Sequence, residues 1–243
     1  MKSPYQALKK IIEDARQLVV FTGAGMSVPS GIPDFRSEQG LYQQNNERRL
    51  SPEELISHSF FKKFPEDFFA FYKEKMCYPN AAPNNGHLYF ADLENKGKNV
   101  TVITQNIDDL HQKAGSKVVY ELHGSVHRNY CTECNQFYNL DYILEAAGVP
   151  HCDRCEGIVK PDVVLYEEPL NPDTISQAIN AIMMCDVLLI IGTSLKVYPA
   201  AGFIRYFKGR YIVVINKEAT PFDNMCDLVF NEDISQVIEA IKK

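Results

Sequence analysis

The most chemically explicit residues of this chain are two Cys-x-x-Cys pairs, Cys131 with Cys134 and Cys152 with Cys155, with 17 residues between the pairs. Four thiolates at that spacing suit one tetrahedral zinc ion, and a shell closed by four sulfurs leaves no position for a reactive water, so such a metal is structural. A redox dithiol is the alternative. His151 beside Cys152 is a candidate substitute ligand. Cys77, Cys185 and Cys226 are left over and read as buried or incidental thiols. With seven cysteines in all, the number is odd, and the paired pattern fits metal binding in a reducing compartment better than disulfides.

A second group of residues has the types that hold phosphates, sugars and protons. In VVFTGAGMS (19–27), an apolar run enters Gly23-Ala24-Gly25. Glycines there let a backbone approach a pyrophosphate with its N–H groups. Val28 occupies the place of the third glycine of a dinucleotide fingerprint, and a tight turn without ligand is the competing reading. GIPDFR (31–36) sets Asp34, Phe35 and Arg36 side by side on a proline-stiffened loop that could close over a ligand or be a plain surface turn. VITQNID (102–108) delivers Gln105, Asn106 and Asp108 to the end of another apolar run, as ligand contacts or as helix caps. ELHGS places His123 just before Gly124, where an imidazole can serve as a general base near neutral pH or as a buried structural group. Gly192, Thr193 and Ser194, and then Asn216, end two further runs of the same kind.

These residues need elements to position them. Leu18–Phe21, Val100–Thr104, Val118–Leu122, Val163–Tyr166, Val187–Ile191, Tyr211–Ile215 and Leu228–Phe230 are continuously apolar rather than alternating, as strands covered on both faces are. Helix-period segments lie between them. Leu8, Ile11, Ile12 and Ala15 form a stripe behind Ser3, Pro4 and Gln6, a capping box with proline at the first helical position. Asn171-Pro172 opens a helix carrying Ile175, Ala178, Ile179 and Ile182, a third helix follows Pro199, and Ile234, Val237, Ile238 and Ile241 line a last one. The alternation predicts a doubly wound α/β fold, a parallel sheet with helices on both faces. Two stretches interrupt it: residues 38–84, helical after a loop and restarting at Ser51-Pro52-Glu53-Glu54, and residues 125–159, which hold the cysteines and no buried strand.

At 243 residues with 45% hydrophobic and 23% charged side chains, the chain is expected to form one large domain carrying a small one. Lys plus Arg is 25 against 31 Asp plus Glu, net −6, which argues against nucleic acid as a partner. Neither a signal-peptide pattern nor a run of about 20 apolar residues is present, so a cytoplasmic protein without membrane association is expected.

Taken together and in order, GAGMSVPSGIPDFR, TQNID, ELHG, the cysteine pairs, KPDVVLYEE, GTSLKVYPA and VVIN resemble the sirtuins, NAD-dependent protein deacylases, and in particular their short undecorated bacterial and archaeal members. The resemblance covers nearly the whole chain. It implies a large, Rossmann-like NAD-binding domain from residues 1–37, 85–124 and 160–243, and a small domain made of a helical module, 38–84, and a zinc module, 125–159, inserted in the large one. It implies that Gly23, Ala24, Gly25, Val28, Asp34, Phe35, Arg36, Gln105, Gly192, Thr193, Ser194, Asn216 and Lys217 hold NAD, with the stretch up to Ile234 near adenine. Ile32, Asn106, Ile107 and Asp108 would receive nicotinamide, with Asn106 and Asp108 sharing in catalysis. His123 would be the general base, and Cys131, Cys134, Cys152 and Cys155 the zinc ligands. The implied reaction moves the acyl group of a lysine to ADP-ribose, releasing nicotinamide and O-acyl-ADP-ribose, on acyl-lysine proteins or peptides, by a monomer. Protein ADP-ribosyl transfer and a non-catalytic NAD-sensing or zinc-knuckle module are the alternatives.

The chain departs from the family at the substrate segment Val163, Val164, Leu165, Tyr166 and Glu167, where sirtuins usually read Phe-Gly-Glu at the end and Glu167 replaces the glycine. The added charge predicts a preference for substrates with basic flanks. Desuccinylating members carry a Tyr-x-x-Arg pair that falls, without gaps, on Tyr72 and Lys75, so deacetylation or removal of longer apolar acyl groups is expected ahead of desuccinylation.

Overall fold

The computed structural model of the chain describes residues 3–34 and 50–242. Helix α1, Pro4–Asp14, begins with the capping box expected of Ser3 and Gln6, and delivers the chain to β1, Gln17–Thr22. Strands β2, Asn99–Thr104, and β3, Val119–Glu121, follow on one side of it, while β7, Val187–Ile191, β8, Tyr211–Ile215, and β9, Leu228–Phe230, follow on the other. All six pair in parallel in the order β3-β2-β1-β7-β8-β9. The direction of winding reverses between β1 and β7, and the crevice beyond the carboxyl ends of those two strands is where such sheets bind ligands.

The continuous hydrophobicity of β1 has a direct cause. Leu18 and Val20 pack into a core shared with α1 and with α9, Ile234–Lys242, while Val19 and Phe21 pack into the opposite core with α8, Pro172–Met184. Asn171 caps α8 through bonds to the Asp173 and Thr174 N–H groups. The segment after Pro199 is a tight 3₁₀ helix, Ala200–Tyr206, rather than an α-helix. Gly202 at its centre disfavours a longer regular turn.

The largest difference from expectation lies in residues 124–166. A second, antiparallel sheet forms there from β4, Gly124–Cys131, β5, Phe137–Tyr138, and β6, Val159–Val163, in the order β5-β4-β6. The 125–159 stretch therefore does contain buried strand positions, among them Val126, Asn129 and Cys131. The Val163–Tyr166 run is the end of that small sheet and the segment beyond it, not a strand of the parallel one. Its apolar side chains Val163 and Leu165 are buried against the helices α2, Pro52–Leu55, α3, His58–Lys63, and α4, Pro65–Lys75, an environment that hydrophobicity alone does not distinguish from a doubly covered strand. The two interrupting stretches thus share one core, centred on Phe61, Phe68, Phe69, Tyr72, Ile143 and Val159. Among the described residues no helix is long and apolar enough to cross a membrane.

Phe68 is fully buried and touches Phe61, Phe69 and Tyr72. Phe68→Ala should cost roughly 3–5 kcal/mol, read as a lower midpoint in chemical denaturation; a loss below 1 kcal/mol would mean that the shared core is not the source of cohesion.

Candidate active site

A cavity of about 750 Å³ opens at the carboxyl ends of β1, β2, β7 and β8 and is closed on its far side by the helical stretch and the segment after β6. That is within the range of about 300–1,000 Å³ typical of ligand pockets. Every expected NAD or substrate residue that is described lines it: Gly23, Ala24, Gly25, Val28, Ile32, Asp34, Gln105, Asn106, Ile107, Asp108, His123, Val163, Val164, Leu165, Tyr166, Glu167, Gly192, Thr193, Ser194, Asn216, Lys217 and Ile234. Phe35 and Arg36 lie outside the described residues. Ile56, Lys75, Met76 and Tyr78, from the helical stretch, complete the wall.

The glycines act differently from the sequence reading. Gly23 N–H donates to the Ile191 carbonyl at 3.0 Å and Gly25 N–H to the Gly192 carbonyl at 2.8 Å, so neither amide is directed at a ligand. Their lack of a side chain serves backbone contact. A Cβ on Gly25 would lie 2.7 Å from Gly192 Cα, and one on Gly192, which has φ +61°, would lie 2.2 Å from Met26 N. Only glycine allows the loops after β1 and β7 to meet here.

His123 occupies the short link between β3 and β4. Its Nδ1 lies 2.9 Å from the Gln105 carbonyl oxygen. A carbonyl only accepts, so Nδ1 carries the proton and Nε2 keeps its lone pair for the cavity. Burial lowers the pKa of the ring and the Gln105 bond partly restores it, so the imidazole is neutral at physiological pH. Gln105 in turn donates from Nε2 to Thr193 Oγ1 at 3.2 Å, linking the ends of β2 and β7.

Asn106 and Asp108 are joined by a residue that the sequence reading passed over. Asn106 Nδ2 donates to the Gly23 carbonyl at 3.1 Å and to Ser27 Oγ at 3.0 Å, and Ser27 Oγ donates to Asp108 Oδ2 at 2.6 Å. Burial raises the Asp108 pKa, opposed by the bonds from Ser27 and the Leu110 N–H. Asp108 Oδ1 also accepts that N–H at 3.0 Å, so contact residue and helix cap are compatible roles. Ser27 directly follows the GAGM turn, which was its only signal. Beneath the loop, Thr104 Oγ1 accepts the Asn106 N–H at 3.0 Å and the Thr22 hydroxyl at 2.8 Å, and His111 Nε2 lies 3.2 Å from Thr22 Oγ1. His87 and His111 are fully buried, with ring centres 4.7 Å apart, and both pack as structural side chains beneath the loop.

The segment after β6 is clamped to the helical stretch. His58 N–H donates to the Tyr166 carbonyl at 3.0 Å and Tyr166 N–H to the Ile56 carbonyl at 3.1 Å. Glu167 has φ +75°, the left-handed backbone that favours glycine. Its carboxylate accepts the Ser59 N–H at 2.8 Å, and the bonds from Ser59 hold its pKa below the usual carboxylate value. Glu168 accepts from Lys160 at 3.1 Å and from the Leu165 N–H at 2.9 Å. Of the two positions on which the Tyr-x-x-Arg pair falls, Tyr72 is buried in the shared core, stacked on Phe68, and does not reach the cavity, whereas Lys75 does.

The four cysteines converge as expected. Their sulfurs all lie within 4.8 Å of one another, with Cys131 to Cys155 at 3.4 Å and Cys134 to Cys152 at 3.5 Å. Zn–S bonds of about 2.3 Å in a tetrahedron require sulfur separations near 3.8 Å. The N–H groups of Glu133 and Cys134 point at Cys131 Sγ, and that of Arg154 at Cys152 Sγ, as donors that stabilise thiolates. The cluster fits zinc. His151 is not part of it and bonds instead to the Glu156 carbonyl. None of the four cysteines lines the cavity, so the metal would hold structure. Cys77 and Cys185 are buried and Cys226 partly so. Chelation, or Cys134→Ser, should remove one bound zinc per chain by elemental analysis and sharply lower the melting temperature; a chain that melts unchanged without metal would contradict a structural ion.

Comparison with known proteins points to one family. The Sir2 family model matches residues 23–199. The chain is 54% identical to an NAD-dependent protein deacetylase of Clostridium perfringens, over 99% of each chain, and 53% identical to one of Clostridium acetobutylicum, over 96% of each. Among solved structures, it is similar to Sir2 bound to a p53 peptide and NAD+, with a TM-score of 0.86 and 39% identity, covering 99% of this chain and 97% of that one. A Sir2 complex with deacetylated p53 peptide and 3′-O-acetyl ADP-ribose gives a TM-score of 0.89 and 37% identity, with the same coverage.

Proposed function

The chain belongs to the Sir2 family, and from that membership we propose how its own residues divide the work of an NAD-dependent protein deacetylase. The observation that carries the assignment is the His123 ring, pinned by the Gln105 carbonyl so that Nε2 is free on a cavity wall shared by the Gln105–Asp108 loop and the Val163–Glu167 segment. NAD supplies an anomeric carbon whose nicotinamide is the leaving group. Asn106, Ile107, Asp108 and Ile32 form the recess that receives that leaving group, with the Asn106–Ser27–Asp108 chain of bonds fixing its polar wall. Ala24, Val28, Asp34, Phe35, Arg36, Gln105, Thr193, Ser194, Asn216, Lys217 and Ile234 hold the remainder of the dinucleotide. His123 Nε2 takes a proton from a ribose hydroxyl, a step that needs an unprotonated ring and a site closed to bulk water. The acyl-lysine stem passes between Val163–Glu167 and the apolar side chains of Met76 and Val126.

With purified protein, NAD and an acetyl-lysine peptide, nicotinamide release should depend on both reactants and yield free lysine and O-acetyl-ADP-ribose by mass spectrometry. Label from the adenine of NAD appearing on protein instead would replace this reading with ADP-ribosyl transfer. His123→Ala should lower turnover roughly 10²–10⁴-fold while NAD binding, measured calorimetrically, is largely kept; near-normal turnover would remove His123 from the role of base.

Substrate choice follows from the same walls. Glu167 is charged at neutral pH and lies at the substrate segment, so peptides with Lys or Arg beside the acyl-lysine should show a higher kcat/KM than Asp- or Glu-flanked ones, with the gap shrinking in high salt. Equal rates across matched peptides would dismiss the charge effect. Because Tyr72 does not reach the cavity, and Lys75, which does, offers a point charge without the bidentate fork of an arginine, acetyl and longer apolar acyl groups are the preferred substrates ahead of succinyl.

A further inference from the structure

His123 sits where the chain leaves the large sheet at Glu121 and enters the small one at Gly124. Any rotation of one sheet against the other would therefore displace the imidazole. Backbone bonds hold the crossing on three sides: Leu122 N–H to the Thr104 carbonyl at 2.9 Å, Val164 N–H to the His123 carbonyl at 3.0 Å, and Val126 N–H to the Ile107 carbonyl at 3.0 Å. Gly124, with φ +75°, packs so tightly that a Cβ would lie 1.9 Å from the Asp162 carbonyl oxygen. One side chain spans the same junction. Arg128, on β4, places NH1 2.7 Å from Glu121 Oε2 on β3 and Nε 2.8 Å from Asp162 Oδ2 on β6.

We propose that Arg128 is a positioning residue for His123: its guanidinium straps Glu121 of the parallel sheet to Asp162 of the antiparallel sheet across the His123 crossing, and so holds the ring over the cavity. The inference rests on the reading of His123 as general base. An arginine fork shared between two carboxylates on different sheets fixes their relative orientation in a way that a lysine point charge does not. The remaining bonds at the junction reinforce it. Gln112 Nε2 donates to Glu121 Oε1 at 2.7 Å, and Ser125 Oγ donates to Asp109 at the end of the Gln105–Asp108 loop. None of Arg128, Glu121 and Asp162 lines the cavity, so the strap acts on turnover through His123 rather than on ligand binding.

The charges around Glu121 give the strap a pH dependence. It faces Arg128 from β4, Asp109 from the neighbouring loop and the uncharged Gln112 from the helix that follows, and Arg128 is shared with Asp162 of β6. Burial pushes Glu121 up to about 7, with Arg128 opposing and Asp109 assisting. As pH falls through that value Glu121 takes a proton and its ion pair weakens, while burial holds the His123 ring below the ordinary imidazole value and so keeps it neutral longer. The acid limb of turnover should therefore begin above the pH that His123 alone would set.

The test compares wild type, Arg128→Lys and Glu121→Gln by kcat and by KM for NAD and acetyl-peptide, from pH 5.5 to 9, together with the exchange rate of the His123 Nδ1 proton by NMR. Arg128→Lys should lose about tenfold in kcat with both KM values within about twofold, and its Nδ1 proton should exchange faster as the bond to Gln105 loosens. Glu121→Gln, which has no proton to gain, should move the acid limb down towards the His123 value. A kcat for Arg128→Lys within twofold of wild type, an acid limb unmoved in Glu121→Gln, or KM rising in step with the loss of kcat would each overturn the strap. Should the wild type itself release no nicotinamide, the reading of the function fails, and the His123 proton still decides the strap: unchanged exchange in Arg128→Lys refutes it and faster exchange supports it.

Discussion

One hydrogen bond, from Nδ1–H of His123 to the carbonyl of Gln105, organises the rest of the site. Without it the imidazole could exchange its protonated nitrogen and rotate, and no lone pair would be aimed anywhere in particular. With it, the chemistry of a residue on the strand crossing is set by the backbone of a loop that leaves β2. That carbonyl is itself immobile, because Gln105 N–H donates to the Thr22 carbonyl of β1 and its side chain to Thr193 beyond β7. The orientation of the ring is thus inherited from three adjacent parallel strands.

The meeting of the loops after β1 and β7 supplies the floor on which this depends. Gly25 and Gly192 bring the two backbones together at the point where the winding of the sheet reverses. The Gly23 carbonyl then faces Asn106, and Thr193 faces Gln105. A side chain at either glycine would separate β1 from β7 at their carboxyl ends, and the four polar groups would lose their common origin. The glycines serve the ligand indirectly, by letting protein approach protein.

The legibility of this arrangement in the sequence was uneven, for physical reasons. The strands of the large sheet announced themselves because burial on both faces leaves no polar position, as in Val187–Ile191. The caps at Ser3, Ser51 and Asn171 did so because side-chain oxygens satisfy local N–H groups. The small sheet was hidden: β4 mixes Ser125, His127, Arg128 and Asn129 with apolar residues, following no period, and carries a register shift between Ser125 and Asn129. Tyr72, matched by resemblance to the tyrosine of a Tyr-x-x-Arg pair, faces the aromatic core, since an ungapped match does not reveal which face of a helix meets the ligand. The bonds of Ser27 to Asn106 and Asp108 and the Glu121–Arg128–Asp162 junction join residues from different elements, and apart from the place of Ser27 after the GAGM turn nothing local marks them.

The same geometry explains why four cysteines remote from the cavity can matter to it. β4 runs from Gly124, beside His123, to Cys131, and β6 runs from Val159, opposite Cys131, to Val163, opposite Gly124. Four residue steps of β6, roughly 13 Å, separate the two ends, and β4 covers the same span with three extra residues at its irregularity between Ser125 and Asn129. Because side chains alternate in direction, a slip of one residue between β4 and β6 would turn Arg128 or Asp162 to the wrong face, and the register shift near Ser125 makes this pairing less self-correcting than an unbroken ladder. Ligation of Cys131 and Cys134 together with Cys152 and Cys155 ties the chain that leads into Val159 to the far end of β4, which favours the observed register. The zinc cluster therefore constrains the reaction centre through strand alignment: it fixes which residues of β6 lie opposite the crossing that carries the imidazole.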